Sequence, residues 1–368
     1  MNGGLRFPLE ILRARMSRLR TIMKEMNLDV AVIRTLSTFI YLTGVKWLRP
    51  TIIVPVDGEP VVFLAKGEED GFKELSWIKN VETYVEGGEV MRKVSGYLRE
   101  LGVKRVGFEF GIEKDAYVFF FEMFKKLNPN VEVVDLSERI AEMRMFKDDA
   151  EVRYIREAGL IAKKAMEEVL AMTKPGIAET EIAAEAYDIL YRLGSEEPHV
   201  YVNAGPHPRV HSEPLSTIKV REGTFVTIVI GADKFRYYAN VSRSVFIGSV
   251  KPEIATRVER CTEEIYVRAI ELTKPHRRFH DVINELDRIY ERYDMKTYRV
   301  IGYVHGIGLQ AEEPPITTIV PGHRFMKPKP RMVLAMVHSP ILIPSLGQVK
   351  KEDTFLVKED GELEAITV

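Results

Sequence analysis

The sequence has little of what builds disulfide frameworks, secretory leaders or membrane spans. Cys261 is the single cysteine, which excludes an internal disulfide and favours a reducing compartment. No apolar run approaches the roughly 20 residues that cross a bilayer, and the first residues lack the apolar segment of a secretory leader. These absences predict a cytoplasmic protein without a membrane partner.

A strong net charge is absent as well. Lys and Arg number 53 and Asp and Glu number 54, so the formal net charge of −1 creates no overall field that would attract nucleic acid. Glutamine occurs only at Gln310 and Gln348, whereas Lys, Arg and Glu are abundant, a composition that indicates a thermophilic source. The sequence also contains no P-loop, no dinucleotide-binding fingerprint and no G-x-S-x-G elbow.

The 368 residues, of which 45% are hydrophobic, are enough for two domains with large cores. Residues 1–145 alternate strand and helix patterns, with strand patterns at 30–35, 51–65, 81–86, 104–110 and 131–136. Asp57 and Gly58 mark a hairpin turn inside the second of these runs. The alternation predicts an N-terminal α/β domain with a largely parallel or mixed sheet.

Residues 146–368 show a faint internal repeat. The tripeptide TKP occurs at 173–175 and again at 273–275, each time between two helical patterns and ahead of a pair of strands. The first pair is expected over 225–248, and the second over 301–309 and 332–343. A duplicated helix–helix–hairpin unit predicts an α+β domain with a pseudo-twofold repeat.

Three segments of the second domain carry a family resemblance. Residues 225–248 read FVTIVIGADKFRYYANVSRSVFIG, residues 303–309 read YVHGIGL, and residues 344–354 read PSLGQVKKEDT. They resemble strands of the pita-bread family, which includes Xaa-Pro dipeptidases, aminopeptidase P, methionine aminopeptidase and creatinase. Residues 18–44 resemble the creatinase/prolidase N-terminal domain. The resemblance implies that N-terminal type for 1–145, a pita-bread catalytic-type domain for 146–368, and a homodimer.

The metal-binding members of this family hold two ions with an Asp, Asp, His, Glu, Glu set. At the matching positions this chain has Val229, Asn240, His305, either Val337 or His338, and Glu352. Valine cannot coordinate a cation, and Asn240 offers a neutral amide in place of a carboxylate. We therefore expect no metal cofactor. Mn, Co or Zn would bind only at a rebuilt site, for which His305, His338 and Glu352 are the alternative set.

The resemblance also implies candidate catalytic and substrate-binding residues. His211 lies close to the spacing of the outer active-site histidine, which creatinase uses as the acid and base of a metal-free C–N cleavage. His305 and Glu352 would then orient the substrate. The candidates for substrate binding are Tyr238, Asn240, Ser242, Glu312, Glu313 and His338. Plainer roles remain open: His305 as a satisfied cleft residue, Glu352 in an ion pair with a nearby Lys or Arg, and the EEPP segment at 312–315 as a solvated turn.

Three functional hypotheses follow for this cleft. The first is a metal-independent hydrolase that cleaves a C–N bond in a small peptide-like or amidino substrate. The second is a non-catalytic member of the family that binds a peptide or a protein. The third is a true Xaa-Pro dipeptidase with a rebuilt metal site. For the two hydrolase hypotheses the expected substrate is a small molecule or a short peptide.

Overall fold

The computed structural model describes residues 5–47, 51–110, 117–210 and 212–368. The chain divides into two compact units, Met1–Arg144 and Met145–Val368. His211, the predicted acid and base, lies outside the described residues. No helix within the described ranges has the length and apolar character that a bilayer crossing requires.

The first unit is built on a six-stranded sheet with the strand order β4-β3-β2-β1-β5-β6. Its strands are β1 (Val30–Ile33), β2 (Thr51–Pro55), β3 (Val61–Ala65), β4 (Val81–Tyr84), β5 (Arg105–Phe108) and β6 (Glu132–Asp135). Its helices are α1 (Leu9–Glu25), α2 (Leu36–Thr43), α3 (Glu69–Leu75), α4 (Gly87–Glu100), α5 (Tyr117–Leu127) and α6 (Ser137–Met145). Antiparallel pairs join β1 to β2 and β2 to β3, and the other neighbours are parallel. The predicted mixed α/β sheet is confirmed, with the predicted hairpin between β2 and β3.

The second unit repeats a helix–helix–hairpin arrangement. The helices are α7 (Asp149–Met172), α8 (Glu179–Arg192), α9 (Glu253–Leu272) and α10 (Phe279–Arg292). The first two precede a three-stranded antiparallel sheet of β7 (His199–Ala204), β8 (Thr224–Lys234) and β9 (Tyr237–Ile247). Each TKP tripeptide begins one residue after a long helix, at Thr173 and at Thr273. This arrangement confirms the predicted pita-bread fold class with its internal repeat.

The later strands form a five-stranded sheet and a separate pair. The sheet has the order β11-β10-β12-β15-β16 and contains β10 (Val304–Gly306), β11 (Glu313–Ile316), β12 (Val333–Met336), β15 (Asp353–Val357) and β16 (Leu363–Ala365). The pair is β13 (Ile341–Ile343) with β14 (Gly347–Val349). Short 3₁₀ helices occur at Lys296–Tyr298 and Pro321–Phe325.

The β8–β9 hairpin has one face in a hydrophobic core and one face turned away from it. Side chains alternate between the two faces of a strand. Ile228 and Ile230 of β8, with Val241 of β9, pack into one core cluster with residues of α7 and α8. The residues between them, such as Val229, face the opposite side. The hairpin thus presents a second row of side chains that the core does not use.

The strand predicted over 332–343 is interrupted in the structure. Strand β12 ends at Met336 and β13 begins at Ile341. Between them, Val337 adopts a left-handed conformation with φ of 62°, which is unfavourable for a β-branched residue and breaks the pleat. The prediction of one continuous strand was wrong because this local turn is not visible in a run of apolar residues.

A buried ion pair links the start of the second unit to β11. The Nζ atom of Lys147 lies 2.7 Å from Oε1 of Glu313, and both side chains are almost fully buried. The pair also covers Gly308, where an added Cβ would lie 2.4 Å from the Glu313 carboxylate. Glu313 therefore has a structural partner far from it in sequence.

We predict that Lys147→Met lowers the free energy of unfolding by about 3–5 kcal/mol, because it leaves a buried carboxylate without its cation. Urea denaturation measures this change. Replacing both partners, as in Lys147→Met with Glu313→Leu, should cost less than the single change. Lys164→Met, in the exposed pair with Glu168, is the control and should leave stability nearly unchanged. A loss no larger than that of the control would contradict the prediction.

Candidate active site

A cavity of about 310 Å³ lies in the second unit, at the face of the β8–β9 hairpin that the core does not use. The cavity brings together residues from β7, β8, β9 and β10 and from the segments around β12 and β14. Its polar lining includes His199, Asn240, His305, His338, Lys350 and Glu352. Pockets of this size, with a few convergent polar groups, are typical of small-molecule sites.

The hairpin register fixes the first part of the lining. Val229 pairs with Ser242 and Gly231 pairs with Asn240, so these four residues share one face. On the other side of β8, His199 pairs with Gly231. A Cβ atom on Gly231 would lie 1.8 Å from Cε1 of His199. Glycine at this position is therefore what allows the histidine ring to lie flat against the sheet beside the cavity.

Asn240 lines the cavity, and one of its two amide atoms is hydrogen-bonded. Its Nδ2 atom donates to the carbonyl oxygen of Ala311 at 3.0 Å, which fixes the orientation of the amide because a carbonyl can only accept. Its Oδ1 atom is buried and has no hydrogen-bond partner among the described residues, although the side chain as a whole lines the cavity. A buried acceptor in this state calls for a donor from water or a ligand.

Glu352 is the carboxylate at the floor of the cavity, with 1% of its side chain exposed. Nζ of Lys350 lies 2.8 Å from Oε2, and Nε2 of His305 lies 3.5 Å from Oε1. Burial by itself raises the pKa of Glu352, but the Lys350 charge and the His305 contact outweigh it and hold the pKa well below its usual range. The other ring nitrogen of His305, Nδ1, lies 2.8 Å from the Gly306 carbonyl oxygen and so carries the donated proton.

His338 is the last residue of the cavity floor. Of the two candidates for the fourth position, His338 lines the cavity and Val337 does not. The rings of His305 and His338 are 4.6 Å apart between centroids. Val337 is instead buried in the core that contains α9 and α10. The left-handed conformation of Val337 interrupts the alternation of the strand, and His338 therefore faces the cavity.

Two basic residues of the lining, His199 and Lys350, were not predicted from the sequence. Burial lowers the pKa of His199 to about 4, so the ring is neutral above that pH, although Glu352 and Asp233 act in the opposite direction. Only the pairing of β7 with β8 places His199 here. Lys350 could have been found, because it stands two positions before Glu352 and a pair with a nearby Lys or Arg was an open alternative.

The predicted substrate-binding residues are only partly brought together. Glu312, Asn240 and His338 line the cavity. Glu313 does not, because it is held by Lys147. Tyr238 lies behind His199, with ring centroids 5.6 Å apart, and its hydroxyl donates to the Glu197 carbonyl at 2.8 Å.

Ser242 is fully buried at the bridge between β9 and Glu352, where its N–H donates to the Glu352 carbonyl at 3.0 Å. It is therefore not among the cavity-lining residues. Of the predicted substrate-binding residues, Tyr238, Ser242 and Glu313 thus do not line this cavity. Across the described ranges, no group of three or more His, Cys, Asp or Glu side chains is arranged to hold a metal ion.

The model of metallopeptidase family M24 matches residues 153–359, and that of the creatinase/prolidase N-terminal domain matches residues 15–146. The chain belongs to metallopeptidase family M24. The M24 match contains the hairpin and every residue of the cavity floor named above. Membership therefore places the candidate site in the domain on which the family is defined.

Similar proteins cover between 63% and 96% of the chain. The Xaa-Pro dipeptidase of Pyrococcus horikoshii is 24% identical over 96% of this chain and 97% of its own. The creatinase of a Bacillus species is 25% identical over 63% of this chain and 60% of its own. The crystal structure of the prolidase from Pyrococcus horikoshii OT3 superposes with a TM-score of 0.85 at 23% identity, covering 96% of this chain and 98% of that one. The structural likeness shows the fold, whereas the chemistry depends on which residues line the cavity.

We predict that His199 makes stability depend on pH. The folded-state pKa of about 4 lies below the ordinary value of 6.5, so the unfolded chain binds more protons between these values, and stability falls as pH drops from 6.5 to 4. His199→Phe should reduce the fall by about 1–3 kcal/mol. Urea denaturation at several pH values measures it, and His276→Phe, at an exposed position, is the control. An unchanged pH slope in His199→Phe would contradict this prediction.

Proposed function

We propose that this M24 protein is a metal-independent hydrolase that cleaves a C–N bond in a small peptide-like or amidino substrate. The observation that supports this most directly is the contact of Glu352 with Lys350 and His305 in the cavity. The carboxylate that a metal would need is already neutralised by an ammonium group.

The residues at the family's metal positions do not fit a dinuclear centre. Val229 has no donor atom. Asn240 is neutral. Because its Nδ2 atom is hydrogen-bonded to Ala311, its amide oxygen is the one atom left that could coordinate a cation. A divalent cation at Glu352 would also lie beside the positive charge of Lys350, which disfavours binding. The fourth position, at Val337 or His338, has no carboxylate either. Three of the anionic ligands that stabilise two cations at close range are thus missing.

The residues of this chain suit the positioning and proton-transfer work that such a hydrolysis requires. Water forms a bond to the reacting carbon, the C–N bond breaks, and the leaving nitrogen takes a proton. His211 is the proposed acid and base, by its resemblance to the creatinase residue. His305 and Glu352 would orient the substrate, and the neutral ring of His199 is a further acceptor at the cavity wall. We expect a homodimer, as the resemblance implies.

We predict that the purified protein holds well below one Mn, Co or Zn ion per chain. The physical reason is the missing anionic ligands together with the ammonium of Lys350. Metal analysis after dialysis against each ion, with and without a chelator, measures this. Two ions bound per chain, with turnover of Xaa-Pro dipeptides that a chelator abolishes, would instead establish the dipeptidase hypothesis.

We predict that a screen of Xaa-Pro dipeptides, creatine and related guanidino and amidino compounds finds turnover that a chelator does not affect. His211→Ala should lower kcat by about 10²–10⁴-fold, because it removes the proposed general acid and base. His207→Ala is the matched control, since its exposed side chain lies in the same segment and does not line the cavity. Turnover that His211→Ala leaves unchanged would refute the mechanism, and ligand binding without any turnover would favour the non-catalytic hypothesis.

A further inference from the structure

The polar groups of the cavity floor are unequally satisfied. Lys350 forms an ion pair with Oε2 of Glu352 at 2.8 Å, and Nε2 of His305 lies 3.5 Å from Oε1. Lys350 has three N–H donors, and within the described part of the chain Glu352 is the one acceptor in contact with its Nζ atom. Lys350 therefore keeps unused N–H donors on a cation, and these favour a ligand that brings a negative oxygen.

Lys350 is also accessible from the cavity in a way that Glu352 is not. Its side chain is 13% exposed, against 1% for the carboxylate, and it is part of the cavity lining. A ligand carboxylate can thus approach the ammonium without displacing Glu352. A hydrogen bond of this charged kind is stronger than a neutral one and is worth more where water is excluded.

Asn240 sets a second requirement for the ligand. Whereas Lys350 favours a ligand acceptor, Asn240 favours a ligand donor. Its Oδ1 atom needs a donor, and its residue is 5% exposed, so bulk water reaches it poorly. The amide cannot rotate to offer its NH₂ group without losing the hydrogen bond to Ala311. A ligand N–H would satisfy this acceptor. The peptide nitrogen of an Xaa-Pro dipeptide has no hydrogen and would leave it unsatisfied.

The mouth of the cavity is apolar. Ile319 and Val210 line it and are 63% and 43% exposed. Val300 and Pro340 add further apolar lining. The cavity thus combines a charged floor with an apolar entrance, so the ligand is expected to carry an apolar group at the end away from its charge.

We propose that the cavity selects a small secondary amide that bears a carboxylate. The carboxylate contacts Nζ of Lys350, the amide N–H donates to Oδ1 of Asn240, and an apolar group lies against Val210 and Ile319. This inference rests on the proposed function in placing substrate in the same cavity, and it names the substrate class. It assigns Lys350 and Asn240 as specificity-determining residues, and it makes Xaa-Pro dipeptides poor ligands.

Three commercial compounds test the need for a carboxylate and the need for an N–H group separately, in the unmodified protein. N-acetylleucine has the carboxylate and the N–H, N-acetylleucinamide lacks the carboxylate, and N-acetylproline lacks the N–H. Isothermal titration at neutral pH should show N-acetylleucine binding at least about 10-fold more tightly than either of the others. Equal affinities for the acid and its amide, or no binding of N-acetylleucine at about 10 mM, would overturn the proposal.

Neighbouring lysines supply a matched pair of variants. Lys350→Met should weaken N-acetylleucine binding by about 10–100-fold and leave N-acetylleucinamide binding unchanged. Lys351→Met is the control, because Lys351 pairs with Glu263 outside the cavity and its loss should leave both affinities as they were. Lys350→Arg keeps the charge and should retain the preference for the acid, which guards against a Met variant that simply folds poorly. If Lys350→Met and Lys351→Met have the same effect, Lys350 is not the carboxylate-binding residue.

Asn240→Leu tests the second requirement alone. It should remove the preference for N-acetylleucine over N-acetylproline while keeping the preference for the acid over the amide. A preference for the secondary amide that survives in Asn240→Leu would overturn the role given to Asn240. These are binding measurements, so they succeed or fail independently of turnover. Carboxylate binding that depends on Lys350, without hydrolysis of any compound, would support this inference and count against the proposed function.

Discussion

The carboxylate of Glu352 lies almost wholly out of contact with water, and a charge in such a place is stable only beside a compensating cation. Lys350 supplies that cation from two positions earlier in the chain. The opposite charges of Lys350 and Glu352 offset each other, so the pair adds little net charge to the cavity floor. His199 is held neutral by burial, and the hairpin contributes an uncharged Val229 and an uncharged Asn240. A metal ion brought to Glu352 would lie beside the positive charge of Lys350, and that repulsion disfavours binding.

The parts of the site that follow from local sequence are those that lie on one strand or one hairpin. Val229 and Asn240 could be placed on the same face because a tight hairpin and a period of two fix which residues face which side. His305 and Glu352 could be assigned to strands through the resemblance of their segments. The fold class could be predicted for the same reason, since the alternation of helices and strands and the two TKP tripeptides are visible in the sequence.

The parts that could not be predicted depend on contacts between segments far apart in the chain. Glu313 stands in a proline-rich turn that looks solvated, yet it is buried against Lys147, 166 residues away. His199 reaches the cavity because Gly231 leaves room for its ring across the sheet. The left-handed turn at Val337 lies within an apolar run, and it decides that His338 rather than Val337 reaches the floor. None of these features has a local signal, because each is set by a partner or by a backbone conformation that only the folded chain specifies.

The division of the hairpin into two faces explains why its fold and its chemistry can be separated. Ile228, Ile230 and Val241 pack with α7 and α8, and a change there would open or overfill a core. Val229 and Asn240 face the cavity, where a side chain of similar size can be exchanged without disturbing that packing. An aspartate at 229 would add a charge that the cavity must then neutralise, whereas valine adds none. The packing of the hairpin against α7 and α8 therefore does not depend on which residues occupy the cavity face. The chemistry is decided by the charges that meet there, of which Lys350 and Glu352 are the pair in closest contact.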